Sequence, residues 1–372
     1  MYQRRAAALL LTLALSASAP AAASAQSTTA RVVRAANAFL TTLDTAQRRR
    51  VMFAFTDDEQ RRRWSNFPTG FVPRAGLNLR EMSAPQRTAA LALMSTVLST
   101  RGYEKVQQIM TADEVFKTTS QNGRGRGGPP NGGPPNGAPP AGGRRGGPPG
   151  GAGGGDAMFG SDLYYISFLG TPSETAPWML QYGGHHLALN ITIVGERGIL
   201  TPTLTGAQPS LYTLDGKTVR PLAGESDKAL ALLNTLDASQ RSQAILKYDV
   251  SDLVLGPGED GKTIVPEGMK VSTMNATQRA MLLDVIKEWV GIINDNAAAA
   301  RMKELSAELD QTYFAWSGAT TAAPGQNITG YYRIQGPHLV IEFAPQRDDP
   351  SLHVHTIYRD PTNDYGRGTV GK

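Results

Sequence analysis

One short signature occurs four times in this chain and constrains its fold more than any other feature. It consists of Leu or Met, a capping residue, two free positions and then Gln-Arg, and the capping residues are Asp44, Ser83, Asp237 and Asn275. In each copy the capping oxygen can accept from first-turn N–H groups while the Gln reaches back, which makes a capping box. The spacing is 39 residues in the first pair and 38 in the second. Because four unrelated helices would not share that spacing, we predict a duplicated helical unit.

The repeat extends into predicted strands. The sequence Gly-His-His-Leu at 184–187 is matched by Gly-Pro-His-Leu at 336–339, and aromatic and β-branched runs at 163–168 and 331–343 indicate strands. The strand offset is about 41 residues smaller than the helix offset, close to the length of a spacer present only in the first half. We therefore predict an α+β fold of two tandem pseudo-repeats. Each has capped helices followed by an antiparallel β-meander, and the two pack as one body.

The spacer is recognised by its composition. It holds 16 Gly and 8 Pro in 35 residues, without an aromatic or β-branched residue, so it cannot bury enough surface to become ordered. The predicted segments are a signal peptide (1–25), a first helical part (26–120), a disordered Gly/Pro-rich spacer (121–155), first-repeat strands (156–221), a second helical part (222–310), and second-repeat strands with a tail (311–372).

The N-terminal segment has the order of a secretory signal peptide. Arg4 and Arg5 precede an apolar run at 6–15 and a small-residue tract that ends at Ala25. We expect cleavage after Ala25 and a periplasmic or extracellular mature chain. The apolar run is too short to cross a bilayer and no later uncharged segment is long enough, so no stable membrane span is predicted.

Composition excludes several classes of protein. The chain has no Cys, which rules out disulfides, thiolate metal sites and cysteine nucleophiles. The net charge is +5, but two Arg in the leader and four in the spacer leave about −1 for the folded part, so a nucleic-acid partner is not indicated. The zincin His-Glu-x-x-His and esterase Gly-x-Ser-x-Gly patterns are absent.

The histidines carry the main functional signal. All five lie in the predicted strand segments and none in the predicted helices: His185, His186, His338, His353 and His355. Alternation along a strand places His353 and His355 on one face, about 7 Å apart. We predict that residues 184–190 and 336–342 are strands, in which His186 and His338 lie on polar faces and His185 turns toward the core.

These residues predict a metal site that holds a divalent metal, namely Zn, Cu, Mn or Fe. The candidate ligands are His186, His338, His353 and His355. The candidate catalytic residues are Glu342, as ligand or general base, and Arg359 and Asp364 in a turn-rich C-terminal run. Two alternatives remain open from sequence. The histidines can be hydrogen-bonded core residues, and Arg359 with Asp364 can lock the tail.

Several motifs together resemble the domain of unknown function 3500 family. They are the stretch 64–76, the Gly-Tyr at 102–103, Trp178 with 184–190, the stretches 314–318 and 332–334, and His353-x-His355-x-x-x-Arg359 with 363–366. The resemblance covers nearly all of the chain except the leader and the spacer. It implies an exported bacterial protein and no particular activity, and it makes the spacer an insertion.

The function that these features favour is that of an exported, metal-dependent enzyme acting on a small molecule, either a hydrolase or an oxidoreductase. Two other classes stay open. One is a non-catalytic protein that binds a small ligand, and the other is a structural envelope protein whose histidines only form hydrogen bonds.

Overall fold

A computed structural model of the protein describes residues 27–122 and 158–370, and it confirms a mixed α+β fold. The predicted signal peptide lies outside the described residues, as does the predicted spacer beyond Asn122. The described helices are α1 (Thr28–Thr41), α2 (Thr45–Val51), α3 (Asp58–Arg61), α4 (Ala84–Val97), α5 (Thr100–Asn122), α6 (Ala223–Thr235), α7 (Ala238–Ala244), α8 (Ala276–Val290) and α9 (Asp295–Ala307). None of these helices has both the length and the apolar character needed to cross a bilayer.

The described strands form one large sheet and a small separate hairpin. They are β1 (Met52–Phe53), β2 (Leu77–Asn78), β3 (Tyr165–Leu169), β4 (Trp178–Gly184), β5 (Leu187–Val194), β6 (Arg197–Ile199), β7 (Thr203–Ala207), β8 (Tyr212–Leu214), β9 (Lys217–Val219), β10 (Met269–Lys270), β11 (Tyr313–Ser317), β12 (Tyr331–Gly336), β13 (Leu339–Pro345) and β14 (Val354–Arg359). The 12-stranded sheet has the order β1-β3-β4-β5-β7-β14-β13-β12-β11-β10, with β2 on β3 and β6 on β5.

Strands β7 and β14 join the two halves of the sheet. They pair antiparallel, with Thr205 opposite Thr356, and every other pair in the sheet except β1–β3 is also antiparallel. The first-half strands approach this seam from one edge and the second-half strands from the other. The seam therefore brings together side chains that lie about 150 residues apart in sequence. The tandem duplication itself stays a prediction.

All four predicted capping boxes are confirmed, at the starts of α2, α4, α7 and α8. The boxes also contact each other within each half. The side-chain amide of Gln86 donates to Gln47 at 2.7 Å, and that of Gln278 donates to Gln240 at 2.9 Å. These contacts explain the repeated spacing of 39 and 38 residues, because the Gln of the second box in each half hydrogen-bonds to the Gln of the first box.

The two faces of the sheet are covered differently. One row of strand side chains, which includes Phe168 and Phe343, joins the helices in the main apolar core. The opposite row, which includes Leu204 and Ile357, packs in a smaller cluster with Trp64 from a loop and Tyr365 from the tail. Because residues two apart share a face, His355 lies on the same side as Ile357, under the loops.

The prediction of a continuous strand over residues 184–190 is wrong. Gly184 pairs directly with Leu187, so His185 and His186 form the two-residue turn between β4 and β5. The second motif behaves in the same way, since Gly336 pairs with Leu339. Strand alternation does not apply to these histidines, because a turn residue does not follow the strand period.

Candidate metal centre

The β4–β5 turn carries the first histidine of the site. His186 is buried and adopts φ 58°, in the left-handed region that non-glycine residues seldom enter. The turn lies against β7, where the Gly206 N–H donates to the His186 carbonyl at 2.7 Å. A Cβ at Gly206 would come within 2.8 Å of the Val354 carbonyl oxygen and 3.3 Å of the His186 ring. Gly206 therefore lets the turn reach the β7–β14 seam.

Three imidazoles meet at this seam. The Nε2 atom of His186 lies 3.0 Å from that of His353 and 3.1 Å from that of His355. The His353 and His355 Nε2 atoms are 3.1 Å apart. The prediction that His353 and His355 share a side is thus confirmed. That side was predicted to face either His186 or His338, and it faces His186. These three residues could hold a metal ion.

The outer nitrogens fix the protonation of two of the rings. His353 Nδ1 lies 2.9 Å from a carboxylate oxygen of Asp348, and His355 Nδ1 lies 3.2 Å from one of Asp252. A carboxylate only accepts, so the neutral form of each ring carries its proton on Nδ1 and presents a lone pair at Nε2. His186 can donate at most one proton into the cluster. At least two lone pairs therefore face each other at about 3 Å, an arrangement that a cation stabilises.

Burial favours the neutral form of His186 and of His353. It holds the pKa of His186 well below its ordinary value, and the neighbouring His185, His353 and His355 lower it further. The pKa of His353 falls to about 4, because burial and His355 outweigh the opposing effect of Asp348. Neutral imidazole is the form that binds metal, so these two rings are ready as ligands at pH 7.

The distances between the three Nε2 atoms suit a tetrahedral metal with three histidine ligands. Tetrahedral Zn–N bonds of about 2.0–2.1 Å put neighbouring nitrogens about 3.3–3.4 Å apart, close to the 3.0–3.1 Å found. Carboxylates on the outer nitrogens are the usual supports of metal-bound histidines. The His353 side chain is 14% exposed, which gives the cluster contact with solvent. Three histidine ligands would leave the fourth tetrahedral position of the metal open for a non-protein ligand.

The other two histidines do not contribute a nitrogen to the cluster. The ring of His338 does not join the cluster. It is 43% exposed and pairs with Glu308 at 2.8 Å. His185 is buried and pairs with Asp113 at 2.6 Å. The expectation that His185 turns away from His186 is wrong, because the two rings stack at a centroid distance of 3.8 Å within the turn.

The predicted catalytic residues form internal contacts. Glu342 accepts from the backbone N–H groups of Val254 and Leu255 at 2.9 and 2.8 Å and from the Tyr331 hydroxyl at 2.6 Å. Burial raises the pKa of Glu342. These contacts tie the carboxylate to the loop that covers the sheet.

Arg359 and Asp364 form a buried ion pair at 2.8 Å. Arg359 also pairs with Asp260 at 2.9 Å and donates to the carbonyls of Leu255 and Gly256. Burial raises the pKa of Asp364 to about 6. This network connects the tail to a loop, as the alternative interpretation of these residues predicts.

Sequence reasoning missed three polar residues around the cluster. Asp348 lies five residues before His353, and an acid that close to a His-x-His pair is a usable signal. Asp252 and Asn66 come from loops far away in sequence. Asn66 lies in the stretch 64–76 that carries the family resemblance, but no local pattern marks either residue as part of a site. Asn66 is buried, and its amide nitrogen lies 3.4 Å from both ring nitrogens of His355.

Comparison with known proteins gives a family and no relative of known activity. No curated protein and no solved structure matches the chain. Residues 25–367 match a family described as protein of unknown function, DUF3500. This match spans both halves of the sheet and all three histidines of the cluster. The chain therefore belongs to the DUF3500 family.

Proposed function

We propose that this protein is an exported enzyme that uses a divalent metal held by His186, His353 and His355. The observation that carries the proposal is the convergence of three Nε2 atoms within 3.1 Å, with carboxylates behind two of the rings. Hydrogen-bonded core histidines do not need lone pairs that face one another. A metal-binding cluster does.

A metal in this position would have three neutral nitrogen ligands and so would keep its full charge of about +2. Such a centre lowers the pKa of a bound water or polarises a bound carbonyl, which is the basis of metal-assisted hydrolysis. Three neutral imidazoles also suit Cu or Fe, which would support oxidation instead. The ligand set favours metal chemistry in general and fits both reaction classes.

The test is the metal content of the full chain produced without a His tag. We expect about one Zn, Cu, Mn or Fe per chain after purification, or tight uptake of one Zn²⁺ or Co²⁺ by the chelator-treated protein. Protein that is metal-free as isolated and takes up none of these ions would overturn the proposal. It would favour the structural class, in which the histidines only pair with each other and with acids.

A non-catalytic binding protein is the second candidate. It shares the metal site, so metal content does not separate it from an enzyme. The separating measurement is turnover of ester, amide and phosphoester panels, and of oxidisable phenols, by the metal-loaded protein. Activity that disappears in His355→Ala supports the enzyme, and metal uptake with no turnover on any panel favours the binding protein.

We further propose export and cleavage after Ala25. The support is the order of the leader, with Arg4 and Arg5 before an apolar run and small residues, and the family match that begins at residue 25. N-terminal sequencing of protein recovered from the periplasm or medium of an expressing bacterium should give Gln26 as the first residue. A mature chain that retains Arg4 would contradict this.

We also propose that the two halves arose by duplication, in which the helical part 26–120 corresponds to 222–310 and the strands of 156–221 correspond to those of 311–372. The supports are the matched sheet order on either side of β7–β14 and the matched Gln–Gln contacts between capping boxes.

Replacing the spacer by a short Gly/Ser link should leave the melting temperature nearly unchanged. A fall of many degrees would mean that the spacer packs on the body.

A further inference from the structure

Asn66 occupies an unusual place beside the three-histidine cluster. It is 6% exposed, on the loop between α3 and β2. Its amide nitrogen is equally distant, 3.4 Å, from both ring nitrogens of His355. An approach along the ring edge at that distance would collide with the carbon between the two nitrogens. The amide therefore sits over the ring face, where it makes no ordinary hydrogen bond.

The amide of Asn66 is poorly satisfied for a buried polar group. Besides the ring, its recorded side-chain contact in the described part of the chain is Ser65 Oγ, at 3.5 Å from the Asn66 oxygen. Leaving a buried amide without a good partner is costly, so such a group indicates a missing ligand. The amide is also 3.4 Å from His355 Nε2, the atom that would bind the metal.

The loop holds this amide firmly in place. The Asn66 carbonyl accepts from the His186 N–H at 3.2 Å, which links the loop to the histidine turn. Arg74 donates to the carbonyls of Ser65 and Phe67 at 2.7 Å and to that of Gly184 at 3.2 Å. Burial lowers the pKa of Arg74 to about 10, so the guanidinium stays charged at neutral pH.

Positive charge on the Asn66 side of the site comes from Arg74 and from the proposed metal. The recorded hydrogen bonds of Arg74 in the described residues all go to backbone carbonyls, so its charge has no carboxylate partner there. A metal with three neutral ligands adds further positive charge. The acids Asp252 and Asp348 lie behind the rings, on Nδ1, and leave the inner side without a carboxylate from this set.

We infer that the carboxamide of Asn66 donates a hydrogen bond to an anionic oxygen bound at the metal, so that the site takes a small carboxylate or a similar oxyanion. The inference rests on the proposed metal site and specifies its ligand. The amide replaces a weak contact over the His355 ring by a charge-assisted hydrogen bond, which is about twice as strong as a neutral one. Asn66 would thus select ligands that present an oxygen anion.

The test uses Co²⁺-loaded full chain and acetate as the probe. Acetate is titrated while the visible Co²⁺ spectrum reports its binding, and Co²⁺ affinity is measured separately. Asn66→Leu keeps the volume but removes the donor, and Asn66→Ala serves as a second variant. The control is Ser65→Ala, which alters the same buried loop and removes the 3.5 Å contact to the Asn66 oxygen but keeps the amide N–H donor.

We expect acetate affinity to fall at least about tenfold in both Asn66 variants, with Co²⁺ affinity within about threefold of the parent. Ser65→Ala should bind acetate like the parent. Equal acetate affinity in parent and variants, or no acetate binding by a parent that holds Co²⁺, overturns this inference alone. A fall of more than about 100-fold in Co²⁺ affinity would make Asn66 a metal ligand and also overturns it. A parent that takes up no Co²⁺ overturns the metal site together with the inference.

Discussion

The two Gly-x-His-Leu turns have the same sequence pattern and the same pairing, yet they differ in what surrounds them. Both reverse the chain between neighbouring antiparallel strands, with Gly opposite Leu. The first turn buries His186 against two other imidazoles. The second leaves His338 43% exposed beside Glu308. The repeated motif therefore specifies a hairpin, and its neighbours decide whether the histidine becomes a ligand.

The neighbours differ because of the central seam. The first turn contacts β7, and β7 pairs with β14, which brings His355 opposite Gly206. The chain has only five histidines, and the first turn and the β14 segment use four of them. No further imidazole is left for the second turn. One hairpin of the two can thus build a three-histidine site, and the other can serve as its internal control.

The largest difference should appear in metal affinity. His355→Ala removes one of three ligands, and we expect Zn²⁺ affinity to fall by about 100- to 1,000-fold, since structural zinc sites contribute about 10–16 kcal/mol over four ligands. His338→Ala should bind Zn²⁺ like the parent. Competition with a chromophoric chelator measures both. Equal losses in the two variants would break the comparison by placing His338 in the site.

Acidification should destabilise the metal-free protein through the first turn's cluster. An unfolded His titrates near 6.5, whereas folded His353 titrates near 4, so between these values the unfolded state binds more protons. The contribution of His353 to the free energy of unfolding is therefore complete above pH 6.5 and falls by up to roughly 3 kcal/mol toward pH 4. Because Asp364 titrates in the same window with the opposite sign, the measurement is the difference in urea-unfolding free energy between the parent and His353→Gln. An identical pH slope in both proteins would contradict the assignment.

The carboxylate that pairs with a cluster histidine should affect Zn²⁺ affinity, and the carboxylate that pairs with His338 should not. Asp348→Asn weakens the support of His353 Nδ1, and loss of such a partner costs about 10- to 100-fold in metal affinity. Glu308→Gln makes the same change behind His338 and should leave Zn²⁺ affinity unchanged. The same chelator competition applies. A Glu308→Gln variant as weak as Asp348→Asn would mean that the acids act only through overall charge.

His185 provides a comparison of stability rather than of binding. His185→Ala removes a buried ring that pairs with Asp113, and we expect a loss of about 1–3 kcal/mol in the free energy of unfolding. His338→Ala removes an exposed ring and should change it by no more than about 0.5 kcal/mol. Chemical unfolding of chelator-treated protein measures both. A silent His185→Ala would mean that Asp113 does not depend on this partner.

The smallest expected effect is on stability, and it concerns the capping boxes, a feature that the two halves share. Gln86→Ala and Gln278→Ala each remove a capping-box side chain that also contacts the preceding box. We expect each to cost about 1 kcal/mol, and the double variant to cost the sum within about 0.5 kcal/mol. Thermal and urea unfolding give these values. A large cost in one half and none in the other would weaken the proposed duplication.

Local rules account for the features that the sequence predicts well. The capping boxes depend on residues three apart, and the shared side of His353 and His355 depends on residues two apart, so both follow from geometry within one turn or strand. The α+β class follows from the same local patterns taken along the chain. In contrast, the turn at His185 and His186 lacks the Asn-Gly or Asp-Gly pair that marks a two-residue hairpin.

By itself, then, the sequence determined the starts of α2, α4, α7 and α8, the mixed α+β class, the family and the shared side of His353 and His355. Only the tertiary structure decided which histidines meet. The reason is that the cluster depends on the pairing of β7 with β14, across about 150 residues, and on loops that deliver Asn66 and Asp252 from two different halves. Such contacts form from packing and backbone pairing between distant segments, for which no local pattern of residues exists.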